Sequence, residues 1–265
     1  MRKKRIAITW ILAVLAMMGC STQKGASDYI IYYGPGDDQA VSRLSGYSLA
    51  VIEPRHFSKE GLQELRRAGT VLYGYVSFVE QNENSPDFRR LKEEWYYQDD
   101  GKKQKNPEWN SWIMDLRKNS YREFLMDTLR EEIIGKGLDG VLIDTVGDID
   151  DFPWNEEDKA GMREGYWKLL EQIRNEFPGL KLIQNWGFQT ALTTSQEYLD
   201  GIMWENFSWS SVKRDEWSRV NYEAIRRSGL SLYVVSSKPD EAPSQPTPAS
   251  FHRFYNKDSV YNELN

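Results

Sequence analysis

The chain has 265 residues, 40% hydrophobic and 13% aromatic, which is ample for a sizeable core and excludes wholesale disorder. Its formal charge is −6, and the charges of the first twenty residues are the four cations Arg2, Lys3, Lys4 and Arg5, so removing them takes −6 to −10. An acidic chain argues against nucleic acid as a partner, because phosphate binding needs a basic face; neutral or cationic ligands remain.

In chain order, MRKKR is a basic leader and IAITWILAVLAMM is an apolar run too short for a comfortable membrane span. It ends at Gly19-Cys20, and Cys20 is the single cysteine of the chain. Residues 1–20 therefore resemble a bacterial lipoprotein signal, which implies lipidation of Cys20 and an extracytoplasmic, membrane-anchored protein. An ordinary secretory signal or an uncleaved anchor is the alternative, and both also place the domain outside the cytoplasm. No further cysteine remains for an internal disulfide or a thiol nucleophile. Residues 21–28, STQKGASD, read as a polar tether, and residues 29–265 as one domain.

Eight runs of β character follow: YIIYYG (29–34), SLAVIEP (48–54), TVLYGYVSF (70–78), SWIMDL (111–116), DGVLID (139–144), KLIQNW (181–186), DGIMWEN (200–206) and SLYVVSS (231–237). Segments of helical period separate most of them. Ser120 and Glu123 form a capping-box pattern ahead of Leu125, Leu129 and Ile133. Asn155 opens a second helix with Met162, Trp167, Leu170 and Ile173 on one face, and Trp217, Val220, Ala224 and Ile225 repeat the pattern before Gly229 stops it. Eight β-then-α units predict an α/β fold, a single-domain (β/α)8 TIM barrel, with a doubly wound open sheet as the rival. Residues 80–110 form a long charged, aromatic connection, 238–250 are Pro-rich, and the tail from Phe251 reads as a reduced last helix.

Barrel enzymes build their sites at the carboxyl ends of the strands. Those positions hold Tyr33, Glu53, Ser77 with Glu80, Asp115, Asp144 with Asp148, Asn185 and Glu205, of which six are carboxylates. A lone strand-end acid is as readily a helix cap or an arginine partner. Several converging on one face call for a ligand, a metal or a shared proton. No metal or other cofactor is expected: His56 and His252 lie outside the acids in loop-like sequence and read as surface residues, and DTVGDIDD lacks the spacing and final Glu of a calcium loop. There is no G-x-S-x-G elbow for a serine nucleophile. Paired carboxylates acting on a glycosidic bond remain. Nine tryptophans outside the leader suit that chemistry, with Trp186, Trp204 and Trp209 near strand ends and Trp95, Trp109 and Trp112 in or beside the long connection. Aromatic faces stack on sugar rings, although any one of them serves equally well as core.

The segments GYVSFVE, IMDLRKNSYREFLMDTL and GLDGVLIDTVGD, with QNWG and the strand ending in Glu205, resemble the endo-α-1,4-polygalactosaminidases, glycoside hydrolase family 114, over about residues 29–237. The resemblance implies a barrel that cuts galactosamine-containing polysaccharide by a retaining route, with Asp144 as nucleophile and Glu205 as general acid/base. The family's Tyr-x-Ser-x-Gly-Glu pattern falls on Tyr75, Ser77 and Glu80, which with Tyr33, Glu53, Asp115, Asp148, Asn185 and Trp186 are implied to bind substrate. Apolar Met203 and Trp204 suit an acid that must carry a proton to the leaving oxygen. Val79 stands where the family has Gly, Glu53 where it has Asp, and Gly147 displaces Asp148 by one place, so these positions change the cleft walls. The implied partner is a cationic, partly deacetylated amino-sugar polymer drawn to an acidic cleft. Neither nucleic acid nor a partner chain is expected, and membrane contact is through the lipid alone. A surface lipoprotein that binds such a polymer without cutting it, and a hydrolase of neutral α-galactosides, are the competing readings.

Overall fold

The computed structural model describes residues 28–238, 243–258 and 260–264. The leader, Cys20 and all of the tether except Asp28 lie outside the described residues.

Eight parallel strands form one sheet in the order β1 (Ile30–Tyr32), β2 (Leu49–Ile52), β3 (Val71–Ser77), β4 (Gly140–Asp144), β5 (Lys181–Asn185), β6 (Gly201–Trp204), β7 (Ser231–Ser236) and β8 (Phe251–Tyr255). Each pairs in register with its predecessor, as in Ser77 opposite Asp144 and Asn185 opposite Met203. The sheet curls until β1 and β8 nearly meet, and the seam is bridged by Asp28 N donating to Arg253 O at 2.6 Å and Tyr33 N to Tyr261 O at 2.7 Å. Apolar runs such as Val141–Ile143 and Leu182–Ile183 are fully buried, as strands covered on both sides must be. The result is a single-domain (β/α)8 barrel.

Around it lie α1 (Asp38–Leu44), α2 (Lys59–Arg67), α3 (Asn119–Thr128), a four-residue α4 (Asp148–Asp151), α5 (Glu156–Glu176), α6 (Phe188–Thr190), α7 (Trp209–Arg214) and α8 (Glu216–Ser228). Asn155 caps α5 by accepting from Asp158 N at 2.8 Å, and Gly229 ends α8 with φ +83°. Leu125, Leu129 and Ile133 are buried together. Ser120, in contrast, accepts from the Trp95 indole at 2.8 Å and caps nothing; the N-cap is Lys118, without a side-chain bond. On α8, Ile225 is buried, whereas Trp217 and Val220 are 51% and 53% exposed.

Two strand assignments require correction. Ser111–Ile113 is not a barrel strand: it pairs antiparallel with Glu80–Asn82 and with Lys105–Asn106 in a small sheet built by the 80–113 excursion. Asp115 therefore does not end a barrel strand. The eighth place belongs to Phe251–Tyr255, read from sequence as a helix, whose 2.0-residue alternation is masked by His252 and Arg253. His252 is consequently not a loop residue at the surface: it is half-buried and stacks on Tyr233 with ring centroids 4.5 Å apart, while His56 is exposed.

Candidate active site

Asp144, Asn185 and Glu205 stand at or just past the carboxyl ends of β4, β5 and β6 and meet at the barrel mouth. One atom joins them. Asn185 Nδ2 donates to Asp144 Oδ1 at 2.9 Å and to Glu205 Oε2 at 2.9 Å. Two acceptors on one nitrogen fix the orientation of the amide, because the reversed orientation would set its oxygen against two carboxylates. They also bound the gap between the two carboxylate oxygens at twice 2.9 Å, about 5.8 Å. Asn185 is 6% exposed, and its Oδ1 is buried without a hydrogen-bond partner. A buried acceptor beside two carboxylates is a place for a donor on a ligand.

Backbone geometry aims these side chains. Thr145, Trp186 and Asn206, each immediately after one of the three, adopt φ of 66°, 53° and 55°. The left-handed region disfavours residues with a Cβ, and β-branched Thr most of all, by about 1–3 kcal/mol each. Two of these turns are held by side chains. Thr145 Oγ1 accepts from Val79 N at 2.9 Å and Glu80 N at 3.1 Å and contacts Ser77 Oγ at 2.9 Å. Fully buried Gln184 donates to Trp186 O at 2.8 Å and Gly187 O at 2.9 Å, while its own oxygen accepts from Tyr166 and Ser195. Gly147 lets Trp186 approach closely, since a Cβ there would stand 3.1 Å from Trp186 Cβ.

Phenols complete the first layer. Tyr75 hydrogen-bonds Asp144, and Tyr261 donates to Glu205 Oε1. Tyr33 packs between them, its ring 4.9 Å from Tyr75 and 5.5 Å from Tyr261. Burial first, and the carboxylates second, push all three hydroxyls far above the usual phenol range, except that for Tyr33 the neighbouring Tyr75 precedes them; all remain donors. No cation lies within ion-pair distance of Asp144 or Glu205 among the described residues.

A second acidic pair adjoins the first. Asp148 faces Glu80, and burial, then the Glu80 charge, raise Asp148 to about 9, so that it holds a proton at neutral pH. Glu80 is buried and accepts from Asn106 Nδ2 at 2.8 Å, which anchors the 80–113 excursion to the mouth. Glu53 caps Arg55 N, and burial raises its carboxyl as well. Val79, expected to shape the cleft wall, is wholly buried.

Not every strand-end acid joins this group. Asp115, 2% exposed, is chelated by Arg117 at 2.8 and 3.1 Å, and Arg117 bridges on to Asp158 on α5. It is a structural ion pair. Asp150 is likewise engaged by Arg163 at 2.9 Å and by Thr190. Among the aromatics, Trp95, Trp204 and Trp209 are core, Trp112 and Trp186 are half-buried, and Trp109 is exposed. Thr145, Gln184, Asn106 and Tyr261 escaped the sequence reading. Thr145 and Gln184 flank identified residues, but Tyr261 sits in a tail with no periodicity.

A family model described as hypothetical glycosyl hydrolase family 15 matches residues 68–239, a span that contains Asp144, Asn185 and Glu205. Among solved structures, the glycoside hydrolase domain of PelA from Pseudomonas aeruginosa is similar at TM-score 0.67 and 22% identity, covering 79% of this chain and 83% of that one. Ega3 from Aspergillus fumigatus, in complex with galactosamine, gives 0.59 at 14% identity over 80% and 77%. An α-galactosidase from Thermus thermophilus gives 0.55 at 14% identity over 81% and 51%. These likenesses show the fold. No curated protein sequence matches the chain.

Proposed function

This chain belongs to hypothetical glycosyl hydrolase family 15, and we propose that it hydrolyses an α-1,4-linked, galactosamine-containing, partly deacetylated polysaccharide with retention of configuration. The observation that carries the reading is the Asn185 amide held jointly by Asp144 and Glu205. Retaining glycosidases place their carboxyl groups about 5–5.5 Å apart and inverting ones roughly 6.5–9.5 Å apart, and a ceiling of about 5.8 Å between the two bridged oxygens favours retention.

In that mechanism Asp144 attacks the anomeric carbon while Glu205 gives its proton to the departing glycosidic oxygen, leaving a sugar ester on Asp144. Glu205 then takes a proton from water, the water oxygen bonds to the anomeric carbon, and the ester breaks. Tyr75 and Asn185 steady Asp144 without neutralising it, so it stays available as a nucleophile. Tyr261 and Asn185 orient Glu205 from either side, one on each oxygen. The amino-sugar assignment is supported by the uncompensated acids of the mouth, which suit an ammonium-bearing chain, and by the galactosamine held by the similar Ega3 barrel. Lipid attachment at Cys20 and an extracytoplasmic location belong to the same proposal; fractionation should move Cys20→Ser from membranes to the soluble phase.

The test is the anomer released first from deacetylated galactosaminan, followed by NMR before mutarotation. The α-anomer is expected, with cleavage that weakens steeply as salt screens a cationic chain. First release of the β-anomer would overturn retention. Hydrolysis of neutral α-galactosides but not of the polymer would overturn the substrate class, and polymer binding without hydrolysis would make the protein a binding module.

A further inference from the structure

Beside the catalytic carboxylates lies an aromatic step that they do not account for. Trp186 immediately follows Asn185, and its ring lies nearly parallel to that of Trp217, with an interplanar angle of 28° and centroids 6.1 Å apart. Trp217 occupies the first turn of α8, and in a (β/α)8 barrel the helices begin on the face that carries the strand ends. Phe188 and Trp204 pack beneath both rings, at 5.5 and 5.8 Å from Trp217. The pair thus rests on a firm base. About half of Trp217 is nevertheless open to solvent, and Val220, three residues on along the same helix, is equally open.

Two observations argue that this exposure has a use. Trp186 is held in the left-handed region, which a bulky side chain avoids, and a wholly buried glutamine is spent on clamping it there. In addition, the step is continuous with the catalytic centre through consecutive residues, Asn185 and Trp186. We propose that Trp217, stacked on Trp186, is a platform for the C–H face of a pyranose ring, binding a residue of the polymer beyond the bond that is cleaved. Gln184 is the positioning residue that sets the platform. The proposal rests on the polysaccharide reading above and extends it to a subsite. One half-exposed indole with a valine is far smaller than the roughly 800 Å² per partner of a standard protein interface, which disfavours a second copy of the chain as the occupant. A single sugar ring matches an indole in size, and its apolar face suits the aromatic surface.

The experiment measures binding in the catalytically silenced Asp144→Asn protein, so that affinity is read without turnover. Calorimetry with deacetylated galactosamine oligosaccharides of two to six units is compared for Trp217 and its Phe, Leu and Ala variants. Stacking predicts that Trp217→Ala and Trp217→Leu each weaken hexasaccharide binding about tenfold, while Trp217→Phe stays within about threefold. Leucine preserves apolar packing against Trp186 without a flat face, and melting temperatures check that every variant is folded. Hexasaccharide affinity unchanged in Trp217→Leu overturns the platform, and so does equal loss in all three variants. If the parent enzyme cleaves the polymer while Trp217→Ala binds as well as its parent, only the platform falls. If the parent neither binds nor cleaves it, the substrate reading falls with it.

Discussion

Asp144 and Asp115 each close an apolar run of similar length, LID in the first case and IMD in the second, yet they meet opposite surroundings. Asp115 is almost sealed from solvent and gripped by Arg117, which also reaches Asp158. Asp144 is more open, and its contacts are an amide shared with Glu205 and the hydroxyl of Tyr75. A guanidinium neutralises a carboxylate and consumes both of its oxygens. Neutral donors orient a carboxylate and leave its charge free for a reacting centre. The difference separates an acid that holds a fold together from one available for chemistry, and it lies in the partners rather than in the acids.

The largest effect is expected at the uncompensated pair. Asp144→Asn should lower hydrolysis by about 10⁴-fold or more with binding retained, since no other group supplies the nucleophile. Glu205→Gln should cost about 10²–10⁴-fold. Initial rates on deacetylated galactosaminan decide both, and near-parental activity in either variant would remove that residue from the mechanism. Asn185→Ala comes next. It frees both carboxylates from their common tether, so a loss of roughly 10²-fold is expected from misplacement alone. Asn185→Asp should be at least as damaging, because it brings a third negative charge between the other two.

Much of this was legible in the sequence, and what was missed follows a pattern. Seven barrel strands announce themselves as runs of Val, Ile and Leu, and Asp144, Asn185 and Glu205 are found because they follow such runs without a break. Ser111–Ile113 looks the same locally; only its antiparallel partner Glu80–Asn82 reveals that it belongs to an excursion. Phe251–Tyr255 was lost for the converse reason, since one wall of the barrel carries polar residues and no apolar run marks it. Tyr261 is drawn to Glu205 by the closing seam between β1 and β8, a tertiary event with no local signature. The clamp on Trp186 was equally hidden, because a glutamine within a strand gives no sign of which carbonyls it will hold.

A smaller effect is expected on the structural side of the comparison. Asp115→Asn strips Arg117 of one of its two carboxylate partners, the buried one, and should cost about 1–3 kcal/mol of stability. The pH dependence of hydrolysis, measured on folded protein, should stay as in the parent. A displaced pH profile would show that Asp115 communicates with the mouth and would erase the distinction drawn here.

The last effect is a gain rather than a loss and concerns Asp148, which also lacks a cation but escapes the cost of its charge by keeping a proton opposite Glu80. In the unfolded chain this carboxyl loses its proton near 3.8, whereas in the fold burial and Glu80 delay that loss to about 9. Below the first value both states are protonated and the fold bears no penalty. Between the two, the unfolded chain gains by ionising and the fold does not, so stability drains away as pH rises through this window. Asparagine keeps the shape and a donor for Glu80 but has no proton to lose. Asp148→Asn should therefore raise the melting temperature at pH 8 by several degrees, at roughly 2–4 °C per kcal/mol for a domain of this size, with the gain vanishing near pH 4. Scanning calorimetry at both pH values checks the sign: an equal gain at each would mean that packing, not the proton, sets the difference, and Asp148 would then join Asp115 as a structural acid.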